Sequence, residues 1–194
     1  MTGRALENLR GKAPRRLPGM EGIWVFIAGD MTIFTMLFAS FVTARAKDVN
    51  QFVIGQDLLD PHRGGINTLL LLSSSLFVAR TLNAFKQGRE NVARNWLALG
   101  VLGGVSFSIS KMLEYVIVST NSHGSGTFFG YYFALTGMHL AHVLVGTGLL
   151  VFSWMRMGRN VVPVKASGLE SVAVFWHMVD LFWIILFSLL YLMR

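Results

Sequence analysis

Five long apolar stretches alternate with short polar segments along this chain, at residues 22–44, 64–85, 95–118, 128–155 and 171–193. A hydrocarbon core of about 30 Å takes about 20 apolar residues in a helix, so each stretch is predicted to be a membrane-crossing helix. The four prolines, at 14, 18, 61 and 163, all fall outside the stretches, so the helices are expected to be unbroken. The expected fold is an all-α polytopic membrane protein, one five-helix bundle over residues 22–194 behind a basic N-terminal tail at 1–21.

Composition agrees with that class: 53% of the 194 residues are hydrophobic and only 14% are charged, a balance foreign to a soluble domain. The first 21 residues have no apolar core, so the first span is expected to serve as the insertion signal. The net charge of +7 is distributed unevenly. Arg4, Arg10, Lys12, Arg15, Arg16, Arg80, Lys86, Arg89, Arg94, Arg156, Arg159 and Lys165 fall on one side of the predicted membrane, and Arg45, Lys47, Arg63 and Arg194 on the other. Positive loops stay in the cytoplasm, so the N-terminus is expected inside and the C-terminus outside. The charge is therefore a topology signal, and nucleic acid is not an expected partner. Trp24, Trp96 and Trp154 near the predicted cytoplasmic ends fit interfacial anchors. The absence of cysteine excludes disulfides, thiolate metal sites and iron–sulfur ligation.

Candidate chemistry comes from polar residues placed where hydrocarbon rejects them. Asp30 and Asp180 each lie eight or nine residues into spans that start on the same side, hence at similar depth, and His177 precedes Asp180 by one helical turn. Asp30, His177 and Asp180 are expected to gather as one polar cluster in the inner half of the bundle. Lys111 and Glu114, also three apart, are expected to pair or snorkel toward the outer end of the third span. His139 and His142 repeat the spacing in the fourth span, where interhelical hydrogen bonds are the expected use. Gly100 and Gly104 form a GxxxG, and Gly130, Gly137, Gly146 and Gly148 add small residues for close packing.

The residues leave other classes open. A stand-alone membrane cytochrome or metalloenzyme would use His139, His142 and His177 as ligands. A small proton-coupled carrier would use the intramembrane Asp, Glu, Lys and His, although such carriers favour interrupted helices.

Several motifs, taken in order, carry a resemblance. The closing Glu170 and FWHMVDLFW from Phe175 to Trp183 resemble the last helix of the subunit III family of haem–copper respiratory oxidases. GTFFGYYFALTGMHLAHVLVG (126–146) resembles that family's Thr-Gly-x-His-x-x-His-Val helix, and KMLEY ending at Tyr115 its Glu-Tyr helix. GIWVFIAGDMTIF (22–34) and INTLLLLSSS (66–75) are similar to its first core helix and its Asn-Thr helix. The resemblance covers roughly residues 20–194. Larger members have two further N-terminal helices, and the five-helix form resembles subunit III of quinol oxidases and the subunit-III-like protein encoded with nitric oxide reductases.

The resemblance implies an accessory subunit that binds no cofactor itself, seated against a catalytic membrane subunit holding haem, with copper or non-haem iron. It implies phospholipid binding, support of the catalytic subunit during turnover and assistance to proton uptake. Asp30 stands where larger oxidases typically have a buried Glu. Glu114, His139, His142, Glu170 and Lys111 are expected to hold helix contacts or lipid headgroups.

Overall fold

A computed structural model describes residues 21–121, 126–158 and 165–193. The expected basic tail thus lies, but for Glu21, outside the described residues, as do Arg159 and Arg194. The helices are α1 (Glu21–Lys47), α2 (Val49–Asp57), α3 (Pro61–Lys86), α4 (Glu90–Asn121), α5 (Thr127–Gly158) and α6 (Ala166–Phe187), which continues as a π-helical turn, Ser188–Leu192. No strand occurs among the described residues. All but α2 are long and apolar enough to cross a membrane.

The helices outrun the apolar stretches, and at α3 a capping residue rather than hydropathy sets the start. Helix α3 starts at Pro61, where Asp60 accepts a hydrogen bond from the His62 N–H at 2.9 Å and proline fills a position whose N–H would be unpaired anyway. Between α3 and α4 the chain reverses at Gly88, whose φ of 73° suits glycine. The short α2 lies in the segment that hydropathy reads as a loop. Asp48 caps it by accepting from the Gln51 N–H at 3.1 Å, and Phe52 anchors it between the rings of Phe41 and Phe128.

Helices α3, α4, α5 and α6 form a ring in which each packs against the next, and α1 lies outside it against α5 and α6. Lipid tails are as apolar as leucine, so close packing rather than the hydrophobic effect holds such helices together. The α3–α4 hairpin shows how. Ser74 Oγ donates to the Gly100 carbonyl at 2.7 Å, and a Cβ on Gly103 would stand 2.6 Å from the Ser74 Cβ. Gly104 turns elsewhere, toward Thr147 of α5 and Trp176 of α6. The GxxxG is therefore split between two interfaces instead of forming one helix-pairing face. Of the small residues in α5, Gly146 meets the Trp176 ring, while Gly130 and Gly148 face open space.

Helix α1 is the least buried span. Phe34 stacks on Phe182 with centroids 4.1 Å apart, Phe26 meets Phe175, and Ser40 shares a hydrogen bond with Tyr131 at 2.9 Å. At the far end, Arg45 donates to the Met193 carbonyl at 2.9 Å. Helix α2 closes the same end of the bundle. The π-helical turn leaves carbonyls without their usual helical donors, and Gln56 Nε2 reaches those of Leu189 and Leu190 at 3.1 and 3.2 Å. Gln56 is buried, so Gln56→Ala is expected to cost about 1–3 kcal/mol, the penalty of orphaned buried acceptors. Thermal unfolding of the purified protein would check this, and a shift indistinguishable from zero would show that the turn needs no such cap.

The tryptophans at the opposite end stack with arginines. Arg80 lies 5.0 Å from the Trp96 centroid and Arg94 4.9 Å from that of Trp154. These pairs place a cation and an amphipathic ring where a headgroup region would meet the helices.

Candidate functional site

The expected cluster of Asp30, His177 and Asp180 is divided by the rotation of α6. The residues of α6 that meet α1 are Phe175 and Phe182, while Asp180 and His177 turn toward α3. At about 100° per residue, Asp180 and Phe182 point roughly 160° apart, so one helix cannot present both to one neighbour. The depth expectation concerns a different coordinate. The contacts Phe26–Phe175 and Phe34–Phe182 put Asp30 level with Met178 and Val179, next to the level of Asp180. The carboxylates share a height and face different partners.

Asp30 faces His142 of α5, with Oδ2 3.3 Å from Nε2. His142 Nδ1 lies 2.8 Å from the Met138 carbonyl, which only accepts, so Nδ1 carries a proton. Asp30 Oδ2 is buried and meets no hydrogen-bond partner among the described residues, so His142 is the polar group nearest to it across the α1–α5 contact. Phe34, packed edge-on to the His142 ring at 5.4 Å, and Phe175, stacked at 6.3 Å, wall it.

On the α3 side, Ser75 Oγ lies 2.5 Å from His177 Nδ1, and Asp180, one helical turn further along α6, is buried with its Oδ1 meeting no hydrogen-bond partner among the described residues. These contacts continue a seam along α3 and α6. Gly64 admits Phe187 and Tyr191, Thr68 accepts from Trp183 Nε1 at 3.0 Å, and Lys86 pairs with Glu170 at 2.7 Å at the end of the seam.

The most polar part of the interior is in the half of the bundle nearer α2. Lys111 is 1% exposed, so it does not snorkel. Its three N–H donors go to Glu114 Oε1 at 3.1 Å, Tyr132 OH at 3.1 Å and Tyr191 OH at 2.9 Å. Both tyrosines donate in turn to Glu114 Oε1, Tyr132 at 2.8 Å. The ammonium also lies 5.1 Å from the Trp183 ring and 4.9 Å from that of Tyr132. Thus α4, α5 and the π-helical turn are tied at one point, and Tyr115 extends the network to Thr136 at 2.8 Å. Sequence spacing reveals the Lys111–Glu114 pair but not its tyrosines.

His139 behaves unlike the interhelical hydrogen-bonder expected of it. The ring is fully buried against Phe107 (5.7 Å, edge-on) and Trp183 (5.2 Å), and neither nitrogen meets a hydrogen-bond partner among the described residues. The three mid-span histidines diverge: His139 into the core, His142 to α1, His177 to α3. Among the described residues, no three His, Asp or Glu side chains come together as a metal-ligand set.

Comparison with known proteins places this geometry. The family model described as cytochrome c oxidase subunit III matches residues 16–194. The chain is 28% identical to cytochrome c oxidase subunit 3 of Corynebacterium diphtheriae, over 98% of each chain. It is 27% identical to probable quinol oxidase subunit 3 of Staphylococcus epidermidis, over 88% of this chain and 87% of that one. With quinol oxidase subunit 3 of Bacillus subtilis it shares 28% identity over 89% and 85%.

Proposed function

The chain belongs to the cytochrome c oxidase subunit III family, and from that premise we propose that it is an accessory subunit without a redox centre of its own, which stabilises a haem-bearing catalytic subunit and assists its proton uptake. It is an integral membrane subunit III of a cytochrome c or quinol oxidase complex. The observation that carries the reading is the family match across residues 16–194, which spans every described helix. The oxidase names of its relatives favour an oxidase over the nitric oxide reductase association.

Within that role, the Asp30–His142 contact is the candidate proton-handling group in one half of the bundle, beside the exposed face of α1. With Arg80, Lys86, Arg89, Arg94, Arg156 and Lys165 at the cytoplasmic end, this is the half nearer the cytoplasm. The second polar group, Ser75, His177 and Asp180, lies at the same level, and phospholipid covers the outward apolar faces.

Asp30→Asn removes the carboxylate that faces His142, and Asp180→Asn removes the buried carboxylate one turn from His177. The double variant is expected to slow proton uptake of the assembled oxidase by up to about tenfold, the equivalent of one pKa unit. Sustained turnover should fall with it. Stopped-flow proton uptake and long-term oxygen consumption measure both, and a double variant matching wild type in assembly, turnover and uptake would remove the proton role.

A further inference from the structure

Trp183 is where the four helices of the ring come together. Its rings lie 4.8 Å from that of Phe107 and 5.1 Å from Lys111 Nζ on α4, and 5.2 Å from His139 on α5, while its Nε1 donates to Thr68 of α3 at 3.0 Å. Around this indole the interior is polar, and much of it is unpaired. His139 is 0% exposed, and neither ring nitrogen meets a hydrogen-bond partner among the described residues. Asn67, next to Thr68 in sequence and also 0% exposed, has neither its amide nitrogen nor its oxygen paired there. It lies one turn from Gly64, on the stripe of α3 where a Cβ at residue 64 would stand 3.0 Å from the Tyr191 ring. Glu114 commits Oε1 to Lys111 and the two tyrosines, and its Oε2 is buried and unpaired among the same residues.

The three side chains come from three helices and between them offer both kinds of hydrogen-bonding group. An amide brings two N–H donors and an acceptor oxygen, an imidazole one donor and one acceptor, and a carboxylate oxygen accepts. Buried polar groups without partners are costly, and several at one level of a marginally stable bundle need something to bond. The surroundings decide what. Lys111 repels a metal or other cation and Glu114 repels an anion, so the occupant is uncharged. It is also small, since the residues around it are fully buried, and it donates and accepts at once. Buried water meets all three demands, typically making about three hydrogen bonds to groups that nothing else satisfies. We propose that ordered water is bound inside the ring beside Trp183, held by Asn67, His139 and Glu114 Oε2. The site extends the Lys111 network from α4, α5 and the π-helical turn to α3, and it stands apart from the Asp30–His142 contact on the α1 side of α5.

The purified oxidase complex containing this chain would be irradiated with X-rays in heavy-oxygen water, where hydroxyl radicals formed from bound water oxidise the side chains they touch, and its peptides read by mass spectrometry. Trp183 and Phe41 are both 0% exposed, and Phe41 is walled by the rings of Phe52 and Tyr131. The expected result, corrected for the intrinsic reactivity of each ring, is labelling of Trp183 and none of Phe41. Asn67→Leu deletes two polar atoms at nearly constant volume. It should reduce the Trp183 label and lower the melting temperature of the purified protein by about 2–4 °C, the scale of one buried hydrogen bond in a chain of this size. An unlabelled Trp183 in the wild-type complex would overturn the site, and that comparison decides even where the variant does not accumulate. A Trp183 label that Asn67→Leu leaves unchanged would overturn it too, as would a variant melting above wild type, since a dry, unpaired amide is a burden that leucine removes. Each of these failures leaves the accessory-subunit reading standing, because water at Trp183 does not depend on it.

Discussion

Lys111→Met is expected to destabilise the folded chain by about 3–5 kcal/mol, the scale measured when one partner of a buried ion pair is removed. The substitution keeps the length of the side chain but deletes three donors at once. Glu114, 5% exposed, would be left as a buried carboxylate facing two tyrosines, and the four aromatic rings near Nζ would lose their cation. Against a typical total of about 5–15 kcal/mol, that loss is large enough to lower the amount of assembled protein in the membrane. Lys111→Met combined with Glu114→Gln should recover a substantial part, since a neutral amide can still accept from Tyr132 and Tyr191 without an unpaired charge. A double-mutant cycle read by denaturant unfolding of the purified protein isolates the coupling. If Lys111→Met unfolds within about 0.5 kcal/mol of wild type, the network does not hold the bundle.

Trp176→Ala should cost a comparable amount, about 3–5 kcal/mol, for a reason without charge in it. The indole is 1% exposed and lies between two glycines on different helices. A Cβ on Gly104 would come within 2.8 Å of Cη2, and one on Gly146 within 2.8 Å of Cε3. Its Nε1 meets no hydrogen-bond partner among the described residues, so the loss on truncation is shape and dispersion alone. Two comparisons separate packing from any other role. Trp176→Phe should lie between wild type and alanine, and Gly146→Ala should destabilise by about 1–3 kcal/mol by overfilling the same contact. An alanine variant that melts with wild type would mean the neighbours collapse freely into the space.

How much was legible in the sequence depended on whether a feature is local to one helix. Five spans could be read because each is a long apolar run. The position of Pro61 as the start of α3 was also available in Asp60–Pro61, a capping signal that hydropathy alone overrides. Helix α2 was not legible, since Asn50, Gln51 and Gln56 interrupt its apolar residues and its hold comes from Phe41 and Phe128, both distant in sequence.

The same divide runs through the chemistry. Lys111 and Glu114 are one turn apart and could be paired on paper. Ser75 with His177, and Asp30 with His142, depend on how each helix is rotated about its axis, which one sequence does not specify. Tyr132 carries a weak signal of its own: a phenol OH in mid-span needs a polar partner, and Lys111 and Glu114 are the ionisable pair of the neighbouring span.

The attachment of α1 sets an order of events during synthesis. Its main contacts within the transmembrane ring are with α5 and α6, the later spans of the sequence, and Asp30 meets His142 only when α5 has entered the membrane. At about 5–20 residues per second, a gap on the order of a hundred residues leaves the first helix waiting roughly 5–20 seconds with an unpaired carboxylate in the bilayer. A chain truncated after α4 would therefore leave α1 without its packing partners and Asp30 without His142 in the bilayer.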